Sequence, residues 1–147
     1  MHITFVCTGN TCRSPVAEAI ARRAIAERGI AGVTVGSAGA AASVGAPASG
    51  GARRVAAEAG LNLDGHRSAP LTEEVVAASA AVLCMDGFHL RRARELGGGR
   101  RCRLLAEAAG ESGEVADPFG GSDEIYRATF EELARLVEAA LENVKHT

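Results

Sequence analysis

A cysteine and an arginine separated by five residues, in Cys7-Thr8-Gly9-Asn10-Thr11-Cys12-Arg13-Ser14, carry the densest chemistry in this 147-residue chain. A thiol at the base of a short glycine-containing loop, with a guanidinium at its far end, makes a receptor for a tetrahedral oxyanion above a nucleophile. Backbone N–H groups from Thr8 to Ser14 can curl into a nest around an anion, and a helix starting just beyond adds its positive end. Gly9 permits close backbone approach, and Asn10 tolerates a left-handed conformation. The planar fork of Arg13 can hold two phosphate oxygens at once, which a lysine could not. Cys7 thus has the surroundings of a reactive cysteine. The chemistry that fits is phosphoryl transfer to sulfur: in-line attack on phosphorus, a phosphocysteine, and hydrolysis by water.

The departing group in such a reaction needs a proton. Asp117 is the best candidate, held by rigid Pro118 in a loop that also contains Gly120 and Gly121. Taken alone, an aspartate before proline is a turn residue; the chemistry of the first loop makes it an acid candidate. Ser14 is expected to donate a hydrogen bond to the sulfur or to the departing phosphate. Cys84, in an apolar run, reads as a buried filler. His66 reads as a structural, hydrogen-bonding histidine.

The elements that must position these groups follow from the pattern of the chain. Ile3-Thr4-Phe5-Val6 predicts a short buried strand leading into the loop. Ser14-Pro15 predicts a helix start, a hydroxyl cap followed by proline at the first position, and Gly29 its end. Residues 33–37 predict a second strand parallel to the first, and residues 39–51 a loop. Helices are expected over residues 52–59, after Thr72 and over residues 88–96, with strands over residues 81–85 and near 103–105. Ser122 is expected to cap the clearest amphipathic helix. Alternating strands and helices imply a parallel sheet covered on both faces, a three-layer α/β domain spanning residues 1–147.

Composition narrows the function classes. The chain is 47% hydrophobic and 23% charged, ordinary for a globular domain with a full core. A net charge of -2 and 3% aromatic residues give no basic stripe and no stacking platform for nucleic acid. No segment reads as a secretory leader or a membrane span. The four cysteines show no paired metal-knuckle spacing, so neither a metal nor a cofactor is expected. A cytoplasmic monomer with reduced thiols is the expected setting.

The run from Val6 to Pro15, Ser37-Ala38-Gly39, His66 and Asp117-Pro118-Phe119 together resemble the low-molecular-weight protein tyrosine phosphatase family, over essentially the whole chain. The resemblance implies a four-stranded parallel sheet. It assigns Cys7 as nucleophile, Arg13 as phosphate clamp and Asp117 as general acid. It also implies that Asn10, Ser14, Ser37 and His66 form a polar network propping the loop. Cys12 corresponds to the neighbour that forms a reversible disulfide with the nucleophile under oxidation.

Two departures bear on the substrate. Thr11 stands where tyrosine phosphatases of the family commonly carry an aliphatic residue, and Phe119 where they carry a tyrosine. With no aromatic side chain in residues 39–51, a phosphotyrosine ring would lose stacking worth about 0.5–1.5 kcal/mol per contact. Thr11 with Phe119-Gly120-Gly121-Ser122 resembles the bacterial protein-arginine phosphatase branch, which implies phosphoarginine in proteins as the substrate. Three alternatives stand beside it: a tyrosine phosphatase, a thioredoxin-coupled arsenate reductase, and a non-catalytic phosphate-binding module.

Overall fold

The residues of the first strand divide between two cores. In the computed structural model, which describes residues 1–145, β1 (His2–Cys7) sends Ile3, Phe5 and Cys7 into one apolar cluster and Val6 into another. Alternate side chains of a strand point to opposite faces, so a strand buried on both sides is apolar almost throughout, and the buried Thr4 hydroxyl is paired with Ser79 Oγ at 2.8 Å. With β2 (Thr34–Gly39), β3 (Ala81–Cys84) and β4 (Cys102–Leu104) it forms a four-stranded sheet of order β2-β1-β3-β4. Every pairing is parallel.

Helices α1 (Arg13–Arg28) and α6 (Asp123–Lys145) pack together over the face that carries Ile3 and Phe5. Helices α2 (Gly50–Glu58) and α5 (Leu105–Ala108) lean on α6. The opposite face is covered by α3 (Glu73–Ala78) and α4 (Gly87–Glu95), which bring Val76 and Ala93 against Val6 and Val82. This is the three-layer arrangement expected from the alternation of elements. Among the described residues no helix is long and apolar enough to cross a membrane.

The strand order places the site. From β1 the chain goes to β2 on one side, then crosses to β3 on the other, so the order reverses at β1. In open α/β sheets the crevice at such a reversal, beyond the carboxyl ends of the strands, is where ligands bind. The loops after β1 and β3 therefore meet there.

Several boundaries differ from expectation, each for a local reason. Helix α1 begins at Arg13, and its cap position is Cys12, which makes no capping hydrogen bond. Ser14 is not the cap, because its hydroxyl is turned to the Cys7 sulfur instead. Helix α2 starts two residues before Ala52, capped by Ser49, whose hydroxyl accepts from the Ala52 N–H. Gly50 and Gly51 disguise that start, since glycine is a poor helix former. Gly51 is required by packing: a Cβ there would lie 2.4 Å from the Tyr126 ring. Strand β4 ends at Leu104 because Leu105 already begins α5. Thr72 and Ser122 cap α3 and α6 as read from the sequence.

Candidate active site

Residues Thr8 to Cys12 leave β1 and turn directly into α1, and the turn is made at Asn10. Its φ of 57° makes it the one non-glycine residue with positive φ among those described. Asparagine is among the few side chains that adopt this region at low cost. The close backbone approach expected at Gly9 lies elsewhere. A Cβ on Gly9 would meet only Thr11 Oγ1, at 3.6 Å, whereas one on Gly39 would lie 2.5 Å from the Thr8 carbonyl oxygen and 2.9 Å from the Asn10 nitrogen. The end of β2 is thus pressed against the loop, and the Ala40 and Ala41 N–H groups donate to the carbonyls of Cys7 and Thr8.

Side-chain hydrogen bonds under the loop run in one direction. The Ala69 N–H can only donate, and it donates to Asn10 Oδ1 at 2.9 Å. That fixes the amide, whose Nδ2 then donates to Ser14 Oγ and Ser37 Oγ, each at 2.9 Å. Ser37 passes its hydrogen to Glu18 Oε1 at 2.6 Å. Ser14 Oγ, accepting from Asn10, lies 2.9 Å from Cys7 Sγ and 3.5 Å from the Ala38 carbonyl. His66 Nε2 donates to the Asn10 carbonyl at 2.6 Å. The structure therefore brings Asn10, Ser14, Ser37 and His66 together beneath Cys7, and adds Glu18, which was not foreseen.

Arg13 is 3% exposed and anchored from several sides. One terminal nitrogen donates to the Val115 carbonyl at 2.8 Å and to Asp86 Oδ2 at 3.4 Å. The other donates to Thr8 Oγ1 at 3.4 Å and lies 3.8 Å from Asp117 Oδ2. Its Nε is buried with no partner among the described residues. A buried N–H normally has an acceptor, so this orphan donor fits a site built to receive an anion.

Asp86 and His89 complete the wall at the end of β3. Asp86 caps α4, its Oδ1 accepting from the Phe88 and His89 N–H groups. His89 is fully buried, with Nε2 2.8 Å from Thr8 Oγ1. Burial, aided by the nearby Arg13 charge, pushes its pKa down to about 4 against the opposing pull of Asp86, so the ring is neutral near pH 7. Neither residue was singled out in the sequence. The available signal was an Asp-x-x-His capping pattern directly after an apolar strand.

A cleft of about 230 Å³ opens above the sulfur, lined by the loop together with Asp117 and Phe119. Asp117 is half exposed, and its Oδ1 accepts from the Phe119 N–H at 3.0 Å, a turn that holds the carboxyl at the rim. Thr11 lines the same cleft, and the Phe119 ring is largely exposed. Cys12 turns its thiol to Ser49 Oγ at 3.1 Å and lies 3.5 Å from the Tyr126 hydroxyl. Cys84 and Cys102 are fully buried in the cluster on the opposite face of the sheet, and burial pushes both thiols up from their usual range. No group of three His, Cys, Asp or Glu side chains among the described residues could hold a metal ion.

This geometry has close counterparts among known proteins. A protein-arginine-phosphatase of Bacillus subtilis is 40% identical over 148 residues, covering 99% of this chain and 97% of its own. The low molecular weight protein-tyrosine-phosphatase PtpB of Staphylococcus haemolyticus is 39% identical over 138 residues, covering 93% and 95%. The solved structure of a YwlE arginine phosphatase, a cysteine-to-serine mutant with a phosphorylated active-site serine, is 41% identical and matches with a TM-score of 0.90. That match covers 99% of this chain and 96% of the other. The family model for low molecular weight phosphotyrosine protein phosphatase matches residues 2–147. The chain belongs to the low molecular weight phosphotyrosine protein phosphatase family.

Proposed function

We propose that the chain hydrolyses phosphoarginine in proteins, with Cys7 as nucleophile, Arg13 as phosphate clamp and Asp117 as general acid. The Cys7 thiolate attacks phosphorus in line, forming the S–P bond as the P–N bond breaks. The Asp117 carboxyl gives its proton to the departing guanidino nitrogen, which takes the P–N electron pair, so the arginine leaves as an ordinary guanidinium. The resulting carboxylate then takes a proton from the water that attacks the phosphocysteine, releasing phosphate and returning the thiolate. The backbone of residues 8–14 and the Arg13 fork hold the phosphoryl oxygens throughout.

One observation carries the choice of substrate: Thr11 lines the cleft, and Phe119 is the single aromatic residue lining it among the described residues. A guanidino group is planar and rich in N–H donors, which the exposed Asp117 carboxyl oxygens at the rim can accept, whereas a phenol ring needs apolar walls. The phosphorylated serine in the related arginine phosphatase supports a phosphoryl group on the equivalent of Cys7. Phosphotyrosine is the second reading, favoured by the tyrosine-phosphatase relative at nearly the same identity. A thioredoxin-coupled relay is disfavoured, because Cys84 and Cys102 lie on the other face of the sheet from Cys7 and Cys12. The convergence of clamp and acid on one cleft supports turnover over simple phosphate binding.

The same reading makes Cys12 the redox partner of Cys7 and the protein a cytoplasmic monomer without cofactor. The deciding measurement is kcat/KM on phosphoarginine and phosphotyrosine peptides for wild type and Thr11→Ile. Wild type should prefer phosphoarginine, and Thr11→Ile should move the ratio toward phosphotyrosine about ten-fold or more, the worth of one pocket-shaping contact. An unchanged ratio would remove Thr11 as the determinant.

A further inference from the structure

We infer that His89 is a positioning residue of this site: its imidazole holds Thr8 so that the Thr8 hydroxyl donates its hydrogen into the cleft, toward the phosphoryl group. The inference rests on the phosphatase reading of the loop, and is independent of the choice between phosphoarginine and phosphotyrosine.

The direction of each hydrogen bond follows from groups that have only one role. The Asp86 backbone N–H lies 3.2 Å from His89 Nδ1 and can only donate, so Nδ1 is unprotonated. A neutral imidazole then carries its hydrogen on Nε2, which faces Thr8 Oγ1 at 2.8 Å. The Arg13 guanidinium is also only a donor, and it reaches the same oxygen at 3.4 Å. A hydroxyl has two acceptor sites and one hydrogen. Both acceptor sites of Thr8 Oγ1 are taken, so its hydrogen is left for a third partner, and Thr8 lines the cleft. Full burial of His89 favours the uncharged ring that this arrangement needs. A charged imidazole would lose the bond from the Asp86 N–H and turn its new donor to Asp86 Oδ1, 3.3 Å away.

Two amide substitutions separate the functions of the two ring nitrogens. The glutamine amide nitrogen reaches about as far as Nε2 and can still donate to Thr8, while asparagine reaches only the place of Nδ1. With para-nitrophenyl phosphate, which either substrate reading permits, His89→Asn should lower kcat about three- to ten-fold, the worth of one neutral hydrogen bond. Inhibition by vanadate should weaken by a similar factor. His89→Gln should recover the loss to within about two-fold. In a Thr8→Val background His89→Asn should cost nothing further, since the imidazole acts only through that hydroxyl.

A folded His89→Asn protein with wild-type kcat, a glutamine variant as impaired as the asparagine one, or an undiminished loss in Thr8→Val would each overturn the proposal. Should the variants fail to fold, the nitrogen NMR signals of the wild-type His89 ring decide it. Hydrogen on Nε2 at pH 7 supports the assignment; hydrogen on Nδ1, or on both nitrogens, overturns it. Residual turnover by Cys7→Ser would instead defeat the phosphatase mechanism itself, whatever His89 does.

Discussion

The Ser14 hydroxyl, which accepts from the Asn10 amide, lies 2.9 Å from the Cys7 sulfur, and to the thiolate of the proposed reaction it can only donate. A residue two places into a helix thereby serves the end of a strand. This explains why a serine that looks like a cap does not cap: its hydroxyl is engaged by the Cys7 sulfur and the Asn10 amide.

Removing that hydroxyl should cost the value of a hydrogen bond to a charged group, about 1.5–3 kcal/mol. Ser14→Ala is expected to lower kcat about ten- to a hundred-fold with little change in Tm. Asn10→Ala, which frees Ser14 to rotate and also removes the Ala69 anchor, should lower both. Steady-state kinetics beside thermal unfolding tests this, and equal kinetics for Ser14→Ala and wild type would refute the directed bond.

Gly39 should tolerate no side chain. A methyl group 2.5 Å from the Thr8 carbonyl oxygen meets backbone, which cannot swing aside. Overpacking of this kind costs about 1–3 kcal/mol. Gly39→Ala should therefore lower the Tm and weaken inhibition by phosphate together, because the displaced segment is the anion loop itself. A variant with native phosphate affinity would mean that β2 does not brace the loop.

The Asp117 carboxyl is half exposed and held at the rim by the Phe119 N–H, and asparagine can keep that turn. Asp117→Asn should leave the fold intact and reduce kcat by about 10²–10⁴ where the leaving group needs a proton. With aryl phosphates of low leaving-group pKa the reduction should shrink. A uniform loss across leaving groups would assign Asp117 to binding instead of proton transfer.

His89 ties stability to pH. Its pKa is about 4 in the folded chain against a usual 6.5, because burial and Arg13 outweigh the carboxylates of Asp86, Asp117 and Glu114. Below pH 6.5 the unfolded chain takes up a proton that the folded chain refuses until about pH 4. Stability conferred by the neutral ring is therefore full above that window and falls as the pH drops through it, by on the order of 3 kcal/mol. Carboxylates titrate too, so the measurement is the difference in urea unfolding free energy between wild type and His89→Gln. That difference should move against wild type from pH 7 to pH 4; parallel curves would show that His89 titrates normally.

The readings that succeeded from sequence were those whose signals are local. Five residues between Cys7 and Arg13, an αL-tolerant Asn10, and apolar runs bounded by Thr72 or Ser122 all act within a few residues of themselves. Short-range sterics and hydrogen bonding are enough to decide them. Asp117, which lies at the rim of the cleft, stood out for a different reason: the loop's chemistry demands an acid, and Pro118 with the nearby glycines marks its loop.

What only the tertiary structure decided is which distant groups arrive at the loop. Ser49 from the cap of α2 and Tyr126 from α6 reach Cys12, Gly39 meets Thr8 from the end of β2, and Asp86 and His89 meet Arg13 and Thr8 from the start of α4, just after β3. Nothing in a capping Asp-x-x-His or a glycine at a strand end announces these partners. They are chosen by the order in which the parallel strands line up, β2 and β3 on either side of β1. The residues of the anion loop thus named the chemistry alone, and the crossover of the sheet supplied the side chains that hold it in place.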